Sequence, residues 1–198
     1  MNRAATRIVA LLTGLALAAP AMAAWKEVAD GTPFVHKNSG YSIQYPAGWR
    51  WIKLPFGDET IASRDGPSIH AISVDYRKHR KAFRALNQDS TPDMAPQELA
   101  QKIIAEATQA RQLQNVEILS DEPVVVAGRP GFRVLFSYRT AVDAGSLRYR
   151  EFVVGTNSPQ GIFIISYRAP VLQYFDRDVE TFEKALATFT IADKAPKR

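Results

Sequence analysis

The sequence predicts an α+β fold in which an antiparallel sheet packs against two helices. Apolar and polar residues alternate with a period of two over residues 132–139, and residues 147–155 and 162–167 are predicted as two further strands. Turn-forming residues separate these segments, which is the pattern of an antiparallel meander. Over residues 96–110 and 175–189, apolar residues return every three or four positions, as in helices that bury one face. The 198 residues suffice for one domain of ordinary size.

The first residues have the pattern of a secretory signal peptide. Two arginines precede an apolar run over residues 8–19, which is too short to span a bilayer comfortably. The sequence Ala-Met-Ala follows at residues 21–23 and fits a small-x-small cleavage site. We therefore expect cleavage after Ala23 and a single domain over residues 24–198, located in the periplasm or secreted. An uncleaved N-terminal anchor is the alternative.

The composition excludes several classes of binding partner and several kinds of functional site. The formal net charge of +5 is mildly basic, which suits an acidic protein partner or an anionic membrane surface and requires neither. No nucleic-acid-binding motif is present, and we expect no nucleic acid partner for an exported chain. The absence of cysteine excludes disulfides, a thiol nucleophile, a cysteine metal site and a lipoprotein anchor. No segment after the signal peptide is apolar enough to span a membrane.

The stretch GYSIQYPAGWRWIK, residues 40–53, is rich in aromatic side chains. Alternation on either side of Pro46-Ala47-Gly48 predicts two strands around a turn, hence a hairpin. The large aromatic side chains recur at strand spacing: Tyr41, Tyr45, Trp49 and Trp51. Since aromatic residues dominate core packing, we expect them to face the core, and an aromatic binding platform is the alternative.

The other elements follow from the same signals, in chain order. Short strands are predicted over residues 34–37, 59–64, 69–76, 116–119 and 124–127. A helix is expected to begin at Pro96 and to end near Ala110, with Leu99 and Ile103 on its buried stripe. A turn is predicted at Gly128-Arg129-Pro130-Gly131. The polar side of the last helix is predicted to carry Arg177, Asp178, Glu180, Glu183 and Lys184.

Short motifs in a fixed order resemble the PsbP-like family, which shares its fold with the Ran-binding Mog proteins. The resemblance rests first on these residues: Gly40, Tyr41, Tyr45, Pro46, Gly48, Trp49, Gly128, Pro130 and Gly131. It continues through Tyr167-Arg168-Ala169-Pro170 to the last helix and covers about residues 34–191. It implies an α/β/α sandwich around a central antiparallel sheet. It also implies an accessory or docking module without enzymatic activity, although fold alone does not settle function.

Residues 77–94, called here the basic segment, are polar and irregular, and long for a connection inside a domain. Positive charge is concentrated at its start, in five residues: Arg77, Lys78, Arg80, Lys81 and Arg84. Such a cluster could dock an acidic partner or an anionic lipid, with Phe83 as an apolar anchor. A solvated loop that only keeps the protein soluble is the alternative.

Little in the sequence indicates catalysis. The usual bases are limited to His36, His70 and His79, and no nucleophile elbow is present. A divalent-ion site would require the fold to bring His36 and Asp58 together. We therefore assign no catalytic residue, metal ligand or cofactor.

The resulting hypothesis is an exported, non-enzymatic accessory module that docks on another envelope protein. Two alternatives stay open, namely a hydrolase and a carrier of a small apolar ligand. The carrier would bind its ligand between sheet and helix, in a cavity among the following aromatic residues: Trp49, Trp51, Phe136, Tyr138, Phe163 and Tyr167.

Overall fold

The computed structural model describes residues 25–55, 57–140 and 147–192. The strands are β1 (Lys26–Glu27), β2 (Phe34–His36), β3 (Tyr41–Ile43), β4 (Arg50–Lys53), β5 (Asp58–Ser63), β6 (Ala71–Lys78), β7 (Gln114–Val126), β8 (Arg129–Arg139), β9 (Arg148–Ser158), β10 (Gly161–Pro170) and β11 (Thr190–Ile191). The helices are α1 (Pro96–Arg111) and α2 (Phe175–Ala187). The predicted signal peptide lies outside the described residues. Within them, no helix combines the length and the apolar character needed to cross a membrane.

Two sheets and two helices form three layers. The large sheet has the order β1-β4-β5-β6-β10-β9-β8-β7, with every neighbouring pair antiparallel. Helix α1 packs on one face against β7, β8 and β9. Helix α2 and the small sheet, in the order β11-β3-β2, cover the opposite face. This arrangement confirms the predicted α+β class, the α/β/α sandwich and the meander of β8, β9 and β10.

Strand alternation divides the core into two halves. Along β9, Val153 packs on the α1 side, whereas Phe152 and Val154 pack on the α2 side. The α2 side also takes the aromatic residues of the opening stretch. Of these, Tyr41, Tyr45 and Trp49 are all at most 3% exposed, so the expectation that they pack in the core is confirmed.

The predicted hairpin at residues 40–53 is wrong in its pairing. Strands β3 and β4 exist, but β3 pairs with β2 and β11, whereas β4 pairs with β1 and β5. The turn between them carries the chain from the small sheet to the large one. Gly48 takes a φ of +74° in this turn, a value that glycine adopts without strain.

The region before the meander also differs from the prediction. The two short strands expected over residues 116–119 and 124–127 are parts of one long edge strand, β7. The turn that follows contains only Ala127 and Gly128, both with positive φ, so β8 already begins at Arg129 and includes Pro130 and Gly131. A side chain at Gly131 would collide with the backbone oxygen of Gly155, which explains the glycine inside a strand.

Both helices form where their periodicity predicts them. Helix α1 begins at Pro96 and buries Leu99 and Ile103. On α2, Asp178 was expected on the polar side, but only 3% of it is exposed. Its carboxylate accepts hydrogen bonds from Arg64 at 2.9 Å and Arg177 at 2.7 Å, and this pairing makes its burial tolerable.

Candidate functional site

Backbone hydrogen bonds hold the basic segment in an ordered conformation, and it does not form the irregular loop that was expected. Arg77 and Lys78 are the last residues of β6. Beyond them, Phe83 and Gln88 exchange two backbone hydrogen bonds of 3.1 Å. The carbonyl of His79 accepts from the backbone N–H of Ser90 at 2.9 Å, which closes a second ring. These hydrogen bonds therefore hold the backbone of the segment in one conformation.

The ring of Phe83 is not presented at the surface. Its side chain is 0% exposed and packs in the α1-side core with Leu99 and Ile103. The preceding Ala82 is equally buried. The proposed role of Phe83 as an exposed anchor is therefore wrong, because the hydrophobic effect places a large apolar ring inside whenever the backbone allows it.

The charges of the basic segment separate into two groups. Arg77 is half-buried and donates to Asp75 at 2.6 Å and to the backbone oxygen of Ala82 at 3.1 Å. The other four cations are exposed: Lys78, Arg80, Lys81 and Arg84. In the part of the chain that the structure describes, none of these four side chains forms an ion pair with a carboxylate within 4.0 Å, although the backbone N–H of Lys81 donates to Asp89 at 2.7 Å. They carry positive charge that no described ion pair compensates.

Helix α1 fastens the segment through one acidic side chain. Glu106 is 6% exposed, and its carboxylate accepts from the backbone N–H groups of Ala85 at 3.0 Å and Leu86 at 3.1 Å. Sequence reasoning did not single out Glu106. The available signal was its position three residues after Ile103 on the buried stripe of α1, where an acidic residue needs a partner.

A polar cleft lies beside the basic segment, where α1 leaves the face of the large sheet uncovered. Its volume is about 210 Å³, and a second cavity of about 190 Å³ continues from it towards Arg84. The cleft opens between α1 and strands β5, β6, β9 and β10. Its charged lining consists of Glu59, Asp75, Arg77, Glu106, Arg111, Glu151 and Arg168. Sequence reasoning did not predict this cleft, because its residues come from five separate elements.

Most of these charges are paired inside the cleft. Arg111 donates to Glu151 at 2.8 Å, Arg77 pairs with Asp75, and Glu106 is held by backbone N–H groups. Glu59 and Arg168 differ, since neither forms an ion pair with any other described residue. Arg168 donates only to the backbone oxygen of Pro67, at 3.3 Å. Burial and the nearby Asp75 raise the pKa of Glu59, although Arg168 partly opposes them.

Each of the three histidine side chains contacts other residues of the protein, and these contacts hold its ring in position. The fold does bring His36 to Asp58, with Nε2 3.8 Å from Oδ1. However, the described ranges contain no group of three or more His, Asp or Glu side chains positioned to hold a metal ion. The buried His70 contacts Asp65 at 3.2 Å.

His79 forms the arrangement that most resembles a catalytic pair. Its Nδ1 lies 2.8 Å from Ser90 Oγ, and its Nε2 lies 2.9 Å from the backbone oxygen of Ser158. A nucleophile needs access to substrate, yet Ser90 is only 3% exposed. The orienting group is a carbonyl, whereas the usual triad supplies a carboxylate. The hydrogen bonds of His79 to Ser90 and Ser158 therefore hold the basic segment against β9.

The aromatic residues of the carrier hypothesis do not surround one cavity. Trp49, Phe163 and Tyr167 pack on the α2 side of the sheet, whereas Phe136 and Tyr138 pack on the α1 side. An apolar groove of about 540 Å³ does exist elsewhere, between α1 and strands β7 and β8. Its apolar lining comprises Leu86, Ala100, Ile104, Ala105, Ile118 and Val134.

Comparisons with known proteins identify the fold. No protein-family model matches the sequence, and no curated protein matches it. The solution structure of PsbP from the cyanobacterium Synechocystis aligns with a TM-score of 0.55 and 12% identity, covering 81% of this chain and 92% of that one. The Ran-binding protein Mog1p of Saccharomyces cerevisiae aligns with a TM-score of 0.56 and 12% identity, covering 82% and 95%. The chain therefore has the PsbP/Mog1 fold.

Proposed function

We propose that this chain is an exported, non-enzymatic binding module that docks on an acidic surface of another envelope protein. The observation that carries the proposal is the set of four exposed cations without carboxylate partners: Lys78, Arg80, Lys81 and Arg84. Their backbone is fixed by hydrogen bonds and by the buried Phe83. Binding therefore requires little ordering of the segment, and such preorganisation favours affinity.

Two further observations support the proposal. The Mog1p structure is described as that of a Ran-binding protein, so this fold serves protein binding in at least that case. The N-terminal pattern of arginines, apolar run and small residues favours export, which makes an envelope protein the natural partner.

Charge reversal tests the docking surface. The variant Lys78→Glu/Arg80→Glu/Arg84→Glu leaves Arg77 intact, because Arg77 pairs with Asp75 inside the protein. We expect this variant to fold normally and to capture its partner at least about tenfold less well, since each exposed charge contributes up to about 1 kcal/mol. Capture is measured by crosslinking in cells followed by quantitative mass spectrometry, and affinity by titration of the identified partner.

A matched control reverses three exposed cations elsewhere, as Lys26→Glu/Lys37→Glu/Arg50→Glu. It changes the net charge equally and should retain the partner. Equal capture by both variants would overturn the proposal. Binding of the wild type to vesicles containing phosphatidylglycerol, with no protein partner captured, would assign the surface to anionic lipid instead.

The apolar groove beside α1 supports a second candidate function, the carriage of a small apolar ligand. Its walls include Ile118, which is 50% exposed and so offers apolar surface to a ligand. Native mass spectrometry of protein released gently from its own envelope would show an added small mass. An Ile104→Gln variant, which places an amide in the groove, should lose that mass.

A further inference from the structure

The polar cleft contains one acidic and one basic group that the protein itself leaves without ionic partners. Glu59 on β5 lies directly opposite Asp75 on β6 in the strand register. Two carboxylates placed opposite each other on neighbouring strands repel. Arg77 neutralises Asp75 at 2.6 Å, but no described cation pairs with Glu59. At the other end of the cleft, Arg168 has only a carbonyl partner.

The sheet register sets how far apart these two ends are. Arg168 lies opposite Ala71 on β6, four residues along that strand from Asp75. Four residues of strand extend about 13 Å along the backbone. The two charged groups are near enough for Arg168 to oppose the rise in the pKa of Glu59. Between the two ends, the hydroxyls of Ser73 and Ser166 are hydrogen-bonded at 2.9 Å. The floor of the cleft therefore changes from negative, through hydroxyl, to positive.

No described side chain of the roof forms an ion pair with Glu59 or Arg168. Helix α1 supplies Glu106 and Arg111, but Glu106 accepts from two backbone N–H groups and Arg111 pairs with Glu151. A partly enclosed, unpaired charge is unfavourable to folding, so its retention favours a role in binding. Two such charges of opposite sign, in one cavity, favour a ligand that carries both charges.

We propose that the cleft binds a small organic zwitterion of the free amino-acid class, with its ammonium group at Glu59 and Asp75 and its carboxylate at Arg168. An ammonium donates hydrogen bonds that carboxylates accept, and a guanidinium can bind a carboxylate through two parallel hydrogen bonds. A volume of about 210 Å³ lies below the range of drug-sized pockets and fits a metabolite of this size. None of the four docking cations lines the cleft itself, so each proposal can fail without the other.

Titration of the purified protein with free amino acids tests the proposal, using ligand-observed NMR and calorimetry at low ionic strength. Two probes of similar size carry charges of one sign only: cadaverine has two ammonium groups, and glutarate has two carboxylates. We expect at least one amino acid to bind, and both probes to bind at least about tenfold more weakly, a difference of about 1.4 kcal/mol.

Variants assign the two ends of the ligand. Glu59→Gln should weaken amino-acid binding about tenfold or more and should not weaken glutarate binding. Arg168→Gln should weaken amino-acid binding equally and should not weaken cadaverine binding. Glu117→Gln and Arg148→Gln serve as matched controls, because these two residues form an exposed ion pair at 2.8 Å outside the cleft. Both control variants should bind amino acids as the wild type does.

Two results would overturn the proposal: no amino acid bound at about 10 mM, or wild-type affinity in both cleft variants. If Arg168→Gln fails to fold, Arg168→Lys keeps the charge but loses the paired donors. We expect it to show intermediate affinity, and wild-type affinity in this variant would contradict a carboxylate contact at Arg168.

Discussion

At the scale of single residues, the ionised carboxylate of Glu59 is unfavourable to the folded state. Burial and Asp75 raise its pKa above the ordinary value of 4.5. A raised carboxyl pKa means that the folded state favours the protonated form. The stability it contributes is therefore present below pH 4.5 and is lost as the pH rises through the folded-state pKa.

We predict that Glu59→Gln increases the free energy of unfolding at pH 7, because the ionised carboxylate is removed. The gain should disappear near pH 3, where Glu59 is protonated in both states. Urea denaturation at the two pH values measures the difference. Glu117→Gln, at an exposed position of β7, is the control and should not show this gain. A less stable Glu59→Gln protein at pH 7 would contradict the prediction.

The burial of single residues was predicted correctly where apolar residues recur at a regular spacing. Tyr41, Tyr45 and Trp49 recur at strand spacing, and all three are buried as predicted. Phe83 has no such period around it, because its segment is a chain of turns, so only its basic neighbours were visible in the sequence. Asp178 was misplaced because its partner Arg64 is 114 residues away in the chain.

At the scale of elements, the basic segment and α1 behave as one unit. Phe83 inserts among the buried residues of α1, and Glu106 of α1 binds the backbone of the segment. The segment therefore depends on packing for its shape, and a lost contact should be measurable as lost stability.

We predict that Phe83→Ala lowers the free energy of unfolding by about 3–5 kcal/mol, the usual result of removing a buried phenylalanine ring. Chemical denaturation measures the loss. Leu172→Ala, at a leucine that is 74% exposed, should change stability by no more than about 0.5 kcal/mol. A Phe83→Ala protein as stable as the wild type would contradict the packing of this ring in the core.

The elements themselves were largely predictable, but their pairing was not. The helices and the meander carry strong local periods, and their positions were found to within a few residues. Strand β7 was divided in two because Asp121, Glu122 and Pro123 interrupt its pattern. An edge strand tolerates such residues, since its outer N–H groups have no partner to lose. Edge position is a property of topology that local sequence does not encode.

For the whole molecule, two buried histidines contribute to the loss of stability in acid. Burial lowers the pKa of His36, as does Lys53, and burial also lowers the pKa of His70. The folded state therefore favours the neutral rings. Their contribution to stability is complete above pH 6.5, the ordinary histidine value, and declines as the pH falls towards the folded-state pKa values.

We predict that the free energy of unfolding decreases between pH 7 and pH 5, by at most about 1.4 kcal/mol per pH unit for each histidine. Urea denaturation across this range measures the slope. The His70→Asn variant, which keeps a polar group near Asp65, should show a smaller slope than the wild type. A flat profile in the wild type would contradict the prediction.

The polar cleft could not be predicted from the sequence, because it depends on how the whole molecule is arranged. Its residues come from β5, β6, α1, β9 and β10, and only the strand order and the offset of α1 bring them together. Glu59 and Arg168, taken alone, look like ordinary charged residues on strands. Three-dimensional placement is what distinguishes them.

The small sheet determines when folding can finish. Ser42 on β3 bonds Thr190 on β11 across 148 positions of the chain, and the N–H of Ala192 donates to Gly40 at 2.7 Å. During synthesis β3 can pair with β2, but its other edge stays open until β11 has been made. An open strand edge can pair with another chain, so the small sheet is protected from such pairing only once β11 is in place.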